Sequence, residues 1–340
     1  AVGEWANTRG REMLTALILG YDVGARLAAA MTSRPLAHQN GQAALLGAAA
    51  AGARMRGLNA ADTSRAMRIA TTLVLTPSYN NAINGATALN VAGGMSGFTT
   101  SLAPDLALAG FTAQADAIEE ALGNLVGDGF RPEGLLTELG TRWEITRDWF
   151  RLRACCNPIY AALDALEAAL AELKPQPDEI ERIDVATFAF AAAMRNPEPP
   201  NYFASKYSLP HAAAALIING DTGFNSLNDA ALQNPAIAAL RRRVHVVEDP
   251  ALTAAAPRLK PARVTLTLTD GRTATHTCES PRGDCLNPYT DAEISAKFRE
   301  LAGPTLTPEG CAAVEAAIER CEQWQSTAEL AQLLRQHARE

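Results

Sequence analysis

The chain has 340 residues, of which 48% are hydrophobic and 20% charged, with a formal net charge of -7. That length buries a sizeable core and suits two domains. The acidic balance and the lack of a Lys/Arg run argue against a phosphate-backbone partner, so nucleic-acid binding is excluded as a reading.

The chain opens AVGEW, with neither an initiating Met nor a signal-peptide pattern, and residue 1 is therefore read as not the translational start. No wholly apolar run reaches the roughly 18 residues of a membrane span. The nearest approach, 11–31, is interrupted by Glu12, Asp22 and Arg26 and reads as a buried helix. From residue 8 to about 125 the pattern is helical and alanine-rich. Met13, Leu14, Leu17, Ile18 and Tyr21 form one apolar stripe. Gly57 suits a helix end, and Asn59 or Asp62 can cap the helix that follows. Gly85, Gly93, Gly94 and Gly97 point to tight backbone packing or to a loop beside a ligand, since helical glycines are otherwise costly.

After about residue 145 the character changes. Residues 181–190 carry β-branched and aromatic side chains in rough alternation and read as a strand. RVTLTL at 263–268, then Asp270-Gly271, predicts a hairpin with a type I′ turn. Helical segments are expected near 210–219 and 230–243, and three short amphipathic helices from Asp291 onward, the last over about 327–337. The fold class expected is mainly α with an α+β second domain. The helical domain takes residues 1–144 and 288–340, and the α+β lid takes 145–287. Six cysteines show no metal spacing, and adjacent Cys155 and Cys156 are poorly disposed for a disulfide. Reduced thiols in a cytoplasmic protein without a structural metal are expected.

Two stretches carry the functional signal: FRLRACCNPIYAAL at 150–163 and KYSLPH at 206–211. With GREMLTALILGYDVGARL (10–27), HQNGQAALLGAAAAGARMRGLNAAD (38–62) and PARVTLTLTDGR (261–272), they resemble the MmgE/PrpD family. That family includes 2-methylcitrate dehydratase, cis-aconitate decarboxylase and iminodisuccinate epimerase. The resemblance implies a large helical domain, a smaller α+β lid, an active site in the cleft between them, a homodimer, and no organic cofactor. The implied chemistry removes or shuffles a proton next to a carboxylate, which needs a base, cations to hold carboxylates, and an acid. The substrate expected is a small di- or tricarboxylate, with dehydration leading and epimerisation or decarboxylation as alternatives. Family chains are longer at the N-terminus and often carry Lys or Arg where this chain has Thr87 and Leu89. A non-catalytic or split subunit, needing a separate N-terminal fragment or chain, is therefore the competing expectation.

The resemblance assigns candidates one by one, each against a bland alternative. His38 falls at a family His position and suits a base, or else is a loop His after Pro35. Arg151 matches a position that is often Lys and can grip a carboxylate bidentately, or else makes a hinge ion pair. Arg153 stands where the motif has an aromatic residue. Cys156 stands where decarboxylase-type members have His and many others have Cys. It is a thiol at a helix start or a small buried hydrophobe. Tyr160 lines the cleft or packs in the core. Lys206 and His211 are the most suggestive pair, Lys206 to hold a carboxylate and His211 to handle protons with His38. Pro210 opens a helix that puts His211 at its N-terminus, where the dipole lowers an imidazole pKa and favours a carboxylate; a solvated helix-cap His is the alternative. Arg282 reaches the cleft or pairs with Asp284. His245 and His276 read as strand surface, and His337 as solvated.

Overall fold

The computed structural model describes residues 1–339 and divides into two compact units. The first comprises Ala1–Tyr79, Ala88–Arg147 and Phe298–Glu340, and the second Asn80–Thr87 and Asp148–Lys297.

The first unit is built on helices α1 (Gly10–Ala30), α2 (Ala43–Met55), α3 (Ala60–Ala70) and α4 (Asn90–Leu108). Buried Ala16, Gly20, Gly24 and Leu27 of α1 repeat at helical spacing and face α2. The two helices approach so closely that a Cβ at Gly47 would lie 2.3 Å from the Gly20 carbonyl oxygen. By length and composition α1 is apolar enough to cross a membrane, contrary to the reading of its sequence. Within the unit, however, it carries a buried ion pair, Arg26 Nε to Asp22 Oδ2 at 2.8 Å. Asn59 caps α3 by accepting the Asp62 amide at 2.9 Å. Leu27, Leu45, Leu46, Leu122 and Val126 form the core.

Two expectations need correction here. The unit is not purely helical, because β1 (Met31–Ser33) pairs antiparallel with β2 (Gly127–Phe130). Gly93, Gly94 and Gly97 lie inside α4 with nothing within 4 Å of an added Cβ. Of the four glycines only Gly85, in the second unit, is closely approached, by the Asn201 side chain, and tight packing in the first unit is realised at Gly20 and Gly47.

The second unit holds helix α5 (Tyr160–Leu173), strand β3 (Ile180–Thr187), helices α6 (Leu209–Asn219) and α7 (Pro235–Arg241), and strands β4 (Val244–Glu248), β5 (Ala262–Leu268) and β6 (Thr273–Cys278). The sheet order is β4-β3-β5-β6, with β3 and β4 parallel and the other pairs antiparallel. The long β3–β4 connection that parallel pairing requires contains α6 and α7. Alternating Val264, Leu266 and Leu268 are buried, and α5 packs on β5 and β6. The hairpin forms, but its turn differs from the expected type I′. The Gly271 amide donates to the Leu268 carbonyl, and only Gly271 of the loop has a positive φ, +88°. Type I′ needs two such residues; this is a tight turn closed by a left-handed glycine.

Helices α8 (Asp291–Ala302), α9 (Pro308–Ile318) and α10 (Ala328–Gln336) end the chain. Thr307 caps α9 through the Gly310 amide at 3.1 Å, and Cys311 and Val314 pack with Leu330 and Leu333.

Candidate functional site

In the second unit the polar residues of the 149–156 segment are sorted by their partners. Arg153 is consumed internally. Its Nη2 donates to Asp164 Oδ1 at 2.7 Å and Glu167 Oε2 at 2.8 Å, and its Nη1 to Thr222 Oγ1 at 2.9 Å. Asp164 and Glu167 sit one turn apart on α5, so both reach one guanidinium. Arg151, two residues earlier, is exposed and makes no hydrogen bond or ion pair among the described residues. It is a planar cation with its donors available to an anion.

Tyr160 lies in the core with no exposed surface, and its hydroxyl donates to the Arg153 carbonyl at 2.6 Å. Burial, above all, pushes its phenol pKa far up. Cys155 is buried, and its thiol is pushed up to about 12, chiefly by desolvation. Cys156 is half-buried at the entry to the turn Asn157–Ile159, and its amide donates to the Lys206 carbonyl at 2.8 Å. That bond joins the two stretches singled out in the sequence.

The Lys206 ammonium lies 4.4 Å from the centre of the Tyr202 ring and has no carboxylate partner among the described residues. The neighbouring Tyr207 phenol is pushed up to about 12, first by burial and then by Cys156, with Arg151 opposing. Sequence reading passed over Tyr207. It also missed Lys260, whose ammonium lies 3.9 Å from the Trp149 ring centre. Neither residue type announces itself in sequence, since what marks them is burial and a ring neighbour.

His211 sits in the first turn of α6, where Ser208 Oγ accepts its amide at 3.1 Å and Pro210 precedes it. It is at a helix N-terminus as expected, but it is not solvated: its exposure is 0%. Its Nδ1 lies 3.5 Å from Arg241 Nη1, and its Nε2 has no hydrogen-bond partner among the described residues. Desolvation first and the Arg241 charge second lower its pKa to about 4, so it is neutral at pH 7.

Arg282 does not pair with Asp284. Its Nη2 meets Glu293 at 2.7 Å, its Nη1 donates to the Pro288 carbonyl at 2.6 Å, and its amide donates to Asp164 Oδ2 at 2.6 Å. Glu293 is held down to about 2 by the Thr290 amide and hydroxyl and by Arg282. Arg282 thus pins the loop to α5. Thr87 is exposed in the single turn Thr87–Leu89. The second unit therefore joins Cys156 to Lys206 through the backbone, sets Tyr207 under the charge of Arg151, and turns Arg153, Tyr160 and Arg282 to internal bonds.

In the first unit, His38 is half-buried and stacked on Tyr79, with ring centres 5.1 Å apart at 11°. Its Nδ1 accepts the Asn40 amide at 3.1 Å, which puts the proton of the neutral ring on Nε2. Burial lowers its pKa, so it is neutral at pH 7. A cavity of about 600 Å³ also lies in this unit, along α1 and α2. Its lining is mainly small and apolar, with Leu17, Tyr21, Gly24 and Ala48 among it, and holds no charged residue. No group of three or more potential metal ligands occurs among the described residues.

The MmgE/PrpD N-terminal domain pattern matches residues 1–127, and the C-terminal domain pattern matches residues 154–323. The chain belongs to the MmgE/PrpD family. This MmgE/PrpD chain is 24% identical over 351 aligned positions to the cis-aconitate decarboxylase-like protein oryM of Aspergillus oryzae, a match covering 96% of this chain and 71% of that protein. It is 22% identical over 320 positions to the cis-aconitate decarboxylase of Aspergillus terreus, covering 86% of this chain and 64% of the relative. The C-terminal pattern takes in Cys156, Lys206, His211 and Arg282, whereas Arg151 falls between the two matched regions.

Proposed function

We propose that the protein is a lyase-type enzyme acting on a small tri- or dicarboxylic acid, which it dehydrates by removing a proton next to a carboxylate. One observation carries this reading. Arg153 and Arg282 are saturated by Asp164, Glu167 and Glu293, while Arg151 and Lys206 have no carboxylate partner among the described residues. Cations held without counter-charge favour an anionic ligand. Family membership and relatives named as cis-aconitate decarboxylases support the same substrate class.

In this reading Arg151 and Lys206 each hold a carboxylate. They stabilise the charge that builds on it as the neighbouring C–H bond breaks. The electron pair forms a C=C bond, the adjacent C–O bond breaks, and the hydroxyl takes a proton to leave as water. His38, which the resemblance offers as the base, is neutral at pH 7 with its lone pair engaged by the Asn40 amide, and His211 is neutral but enclosed.

Decarboxylation is the second reading, favoured by the names of the two relatives. There a C–C bond breaks, carbon dioxide leaves, and a proton is added at carbon. Cys156, which the resemblance sets where decarboxylase-type members of the family have His, weighs against it.

The test is a proton NMR time course in deuterium oxide with purified protein and 2-methylcitrate, cis-aconitate and iminodisuccinate. Loss of a hydroxy acid with appearance of its alkene supports dehydration. Consumption of cis-aconitate with carbon dioxide release selects the second reading. Absence of both turnover and deuterium exchange with every substrate overturns the assignment.

A further inference from the structure

Lys260 belongs to none of the stretches that point to the site, yet its position is built rather than incidental. It lies two residues before β5, and the carbonyl of the adjoining Pro261 accepts the Thr187 hydroxyl at 2.9 Å, so the backbone is pinned to the sheet. The ammonium is half-buried 3.9 Å from the Trp149 ring centre. Trp149 is itself set edge-on to buried Tyr160, with ring centres 6.3 Å apart, and its indole Nε1 is buried without a hydrogen-bond partner among the described residues. Trp149 and Arg151 are two residues apart, and their segment is tied down by the Phe150 amide, which donates to the Gly283 carbonyl at 3.0 Å.

Lys260 has no carboxylate within ion-pairing distance among the described residues. The nearby Asp284 spends an oxygen on the Leu286 amide at 2.9 Å. Burial lowers the Lys260 pKa, Asp284 opposes that shift, and the Arg151 charge adds to it. A ring face holds a partly desolvated cation in place, but it does not neutralise the repulsion of a second cation close by. An anion shared with Arg151 does.

We propose that Lys260 is a third carboxylate-binding residue of this site, gripping one carboxyl group of a polycarboxylate whose other carboxyl group Arg151 holds. The inference rests on the reading of the protein as a polycarboxylate enzyme.

Calorimetric titration with propane-1,2,3-tricarboxylate, a tricarboxylate lacking the hydroxyl and the double bond, tests it on the wild type and on Lys260→Met, Lys260→Arg and Arg151→Met. Lys260→Met is expected to weaken binding by about 10- to 100-fold, the loss of one charge-assisted contact, with Lys260→Arg restoring most of it and propionate unaffected. Ligand should also change the tryptophan emission of the wild type but not of Trp149→Phe, which keeps a test in hand if Lys260→Met folds poorly. Unchanged affinity in Lys260→Met alongside weakened binding in Arg151→Met overturns the Lys260 assignment and leaves the enzyme reading standing. An absent Trp149-dependent signal on saturation counts against Lys260 as well. A wild type that binds neither this tricarboxylate nor cis-aconitate overturns both.

Discussion

His211 and Arg241 meet inside the second unit, with imidazole Nδ1 3.5 Å from guanidinium Nη1 and neither residue more than 6% exposed. The guanidinium is neutralised on its other side by Glu198, which Nη2 reaches at 2.7 Å. A second positive charge at His211 would face Arg241 without a counter-ion of its own. The imidazole therefore stays neutral well below its ordinary range.

Stability should follow from that. In the unfolded chain His211 titrates near 6.5, and in the folded protein near about 4. Above pH 6.5 both states hold it neutral and it contributes no pH dependence. As pH falls from 6.5 to 4 the unfolded chain takes up a proton that the folded protein refuses, so stability is lost across that window. The loss reaches roughly 3 kcal/mol at pH 4. Urea unfolding at pH 7 and pH 4.5 should show it, and His211→Gln should be less stable at pH 7 but flatter with pH. An equal slope in that variant would assign the acid loss to other groups.

The Asp22–Arg26 pair makes a stronger demand on the first unit. Arg26 donates to Asp22 and to the carbonyls of Leu135, Thr137 and Arg142, while Asp22 Oδ1 accepts the Glu144 amide. One buried pair thus closes a long loop onto α1. Arg26→Ala leaves Asp22 charged and buried and should cost about 3–5 kcal/mol. Asp22→Ala should cost a similar amount, and the double variant less than the sum, because the shared loss is counted once. Denaturant midpoints of the three variants provide the check.

The glycines separate packing from exposure. Gly47→Ala drives a methyl into the Gly20 carbonyl and should cost about 1–3 kcal/mol by forcing α1 and α2 apart. Gly93→Ala and Gly94→Ala meet open space in the middle of a helix and should each be neutral or stabilising by up to about 1 kcal/mol. Thermal melts rank them directly. A stabilising Gly47→Ala would mean that the helices are not in this contact.

Periodicity made much of the architecture legible. The strands at 180–187 and 262–268 alternate strongly because one face of each is buried, and Asn59 marks a helix start that its side chain does cap. The β1–β2 pair was not legible, since three residues set against Gly127-Asp128-Gly129-Phe130 carry no readable alternation. The turn type was misread because Asp-Gly is compatible with more than one loop closure. At the site the limit was different. Arg151 and Arg153 are the same residue type two positions apart, and what distinguishes them is Asp164 and Glu167, which reach only one of them after α5 has folded.

That difference is open to direct measurement. Arg151 makes no hydrogen bond or ion pair among the described residues, so Arg151→Ala should leave the melting temperature nearly unchanged. In the proposed reading it should weaken polycarboxylate binding by about 10- to 100-fold. Arg153→Ala should do the opposite. It strands Asp164 as a partly buried carboxylate beside Glu167 and frees the Thr222 hydroxyl. A cost of about 2–4 kcal/mol is expected from a hydrogen-bonded pair this enclosed. Arg153→Lys should recover only part of it, because an ammonium lacks the fork that reaches both carboxylates and the hydroxyl together. Parallel melting curves and titrations on the three variants separate the roles. If Arg151→Ala destabilises the fold and leaves binding intact, Arg151 is a structural residue and the carboxylate must be held elsewhere.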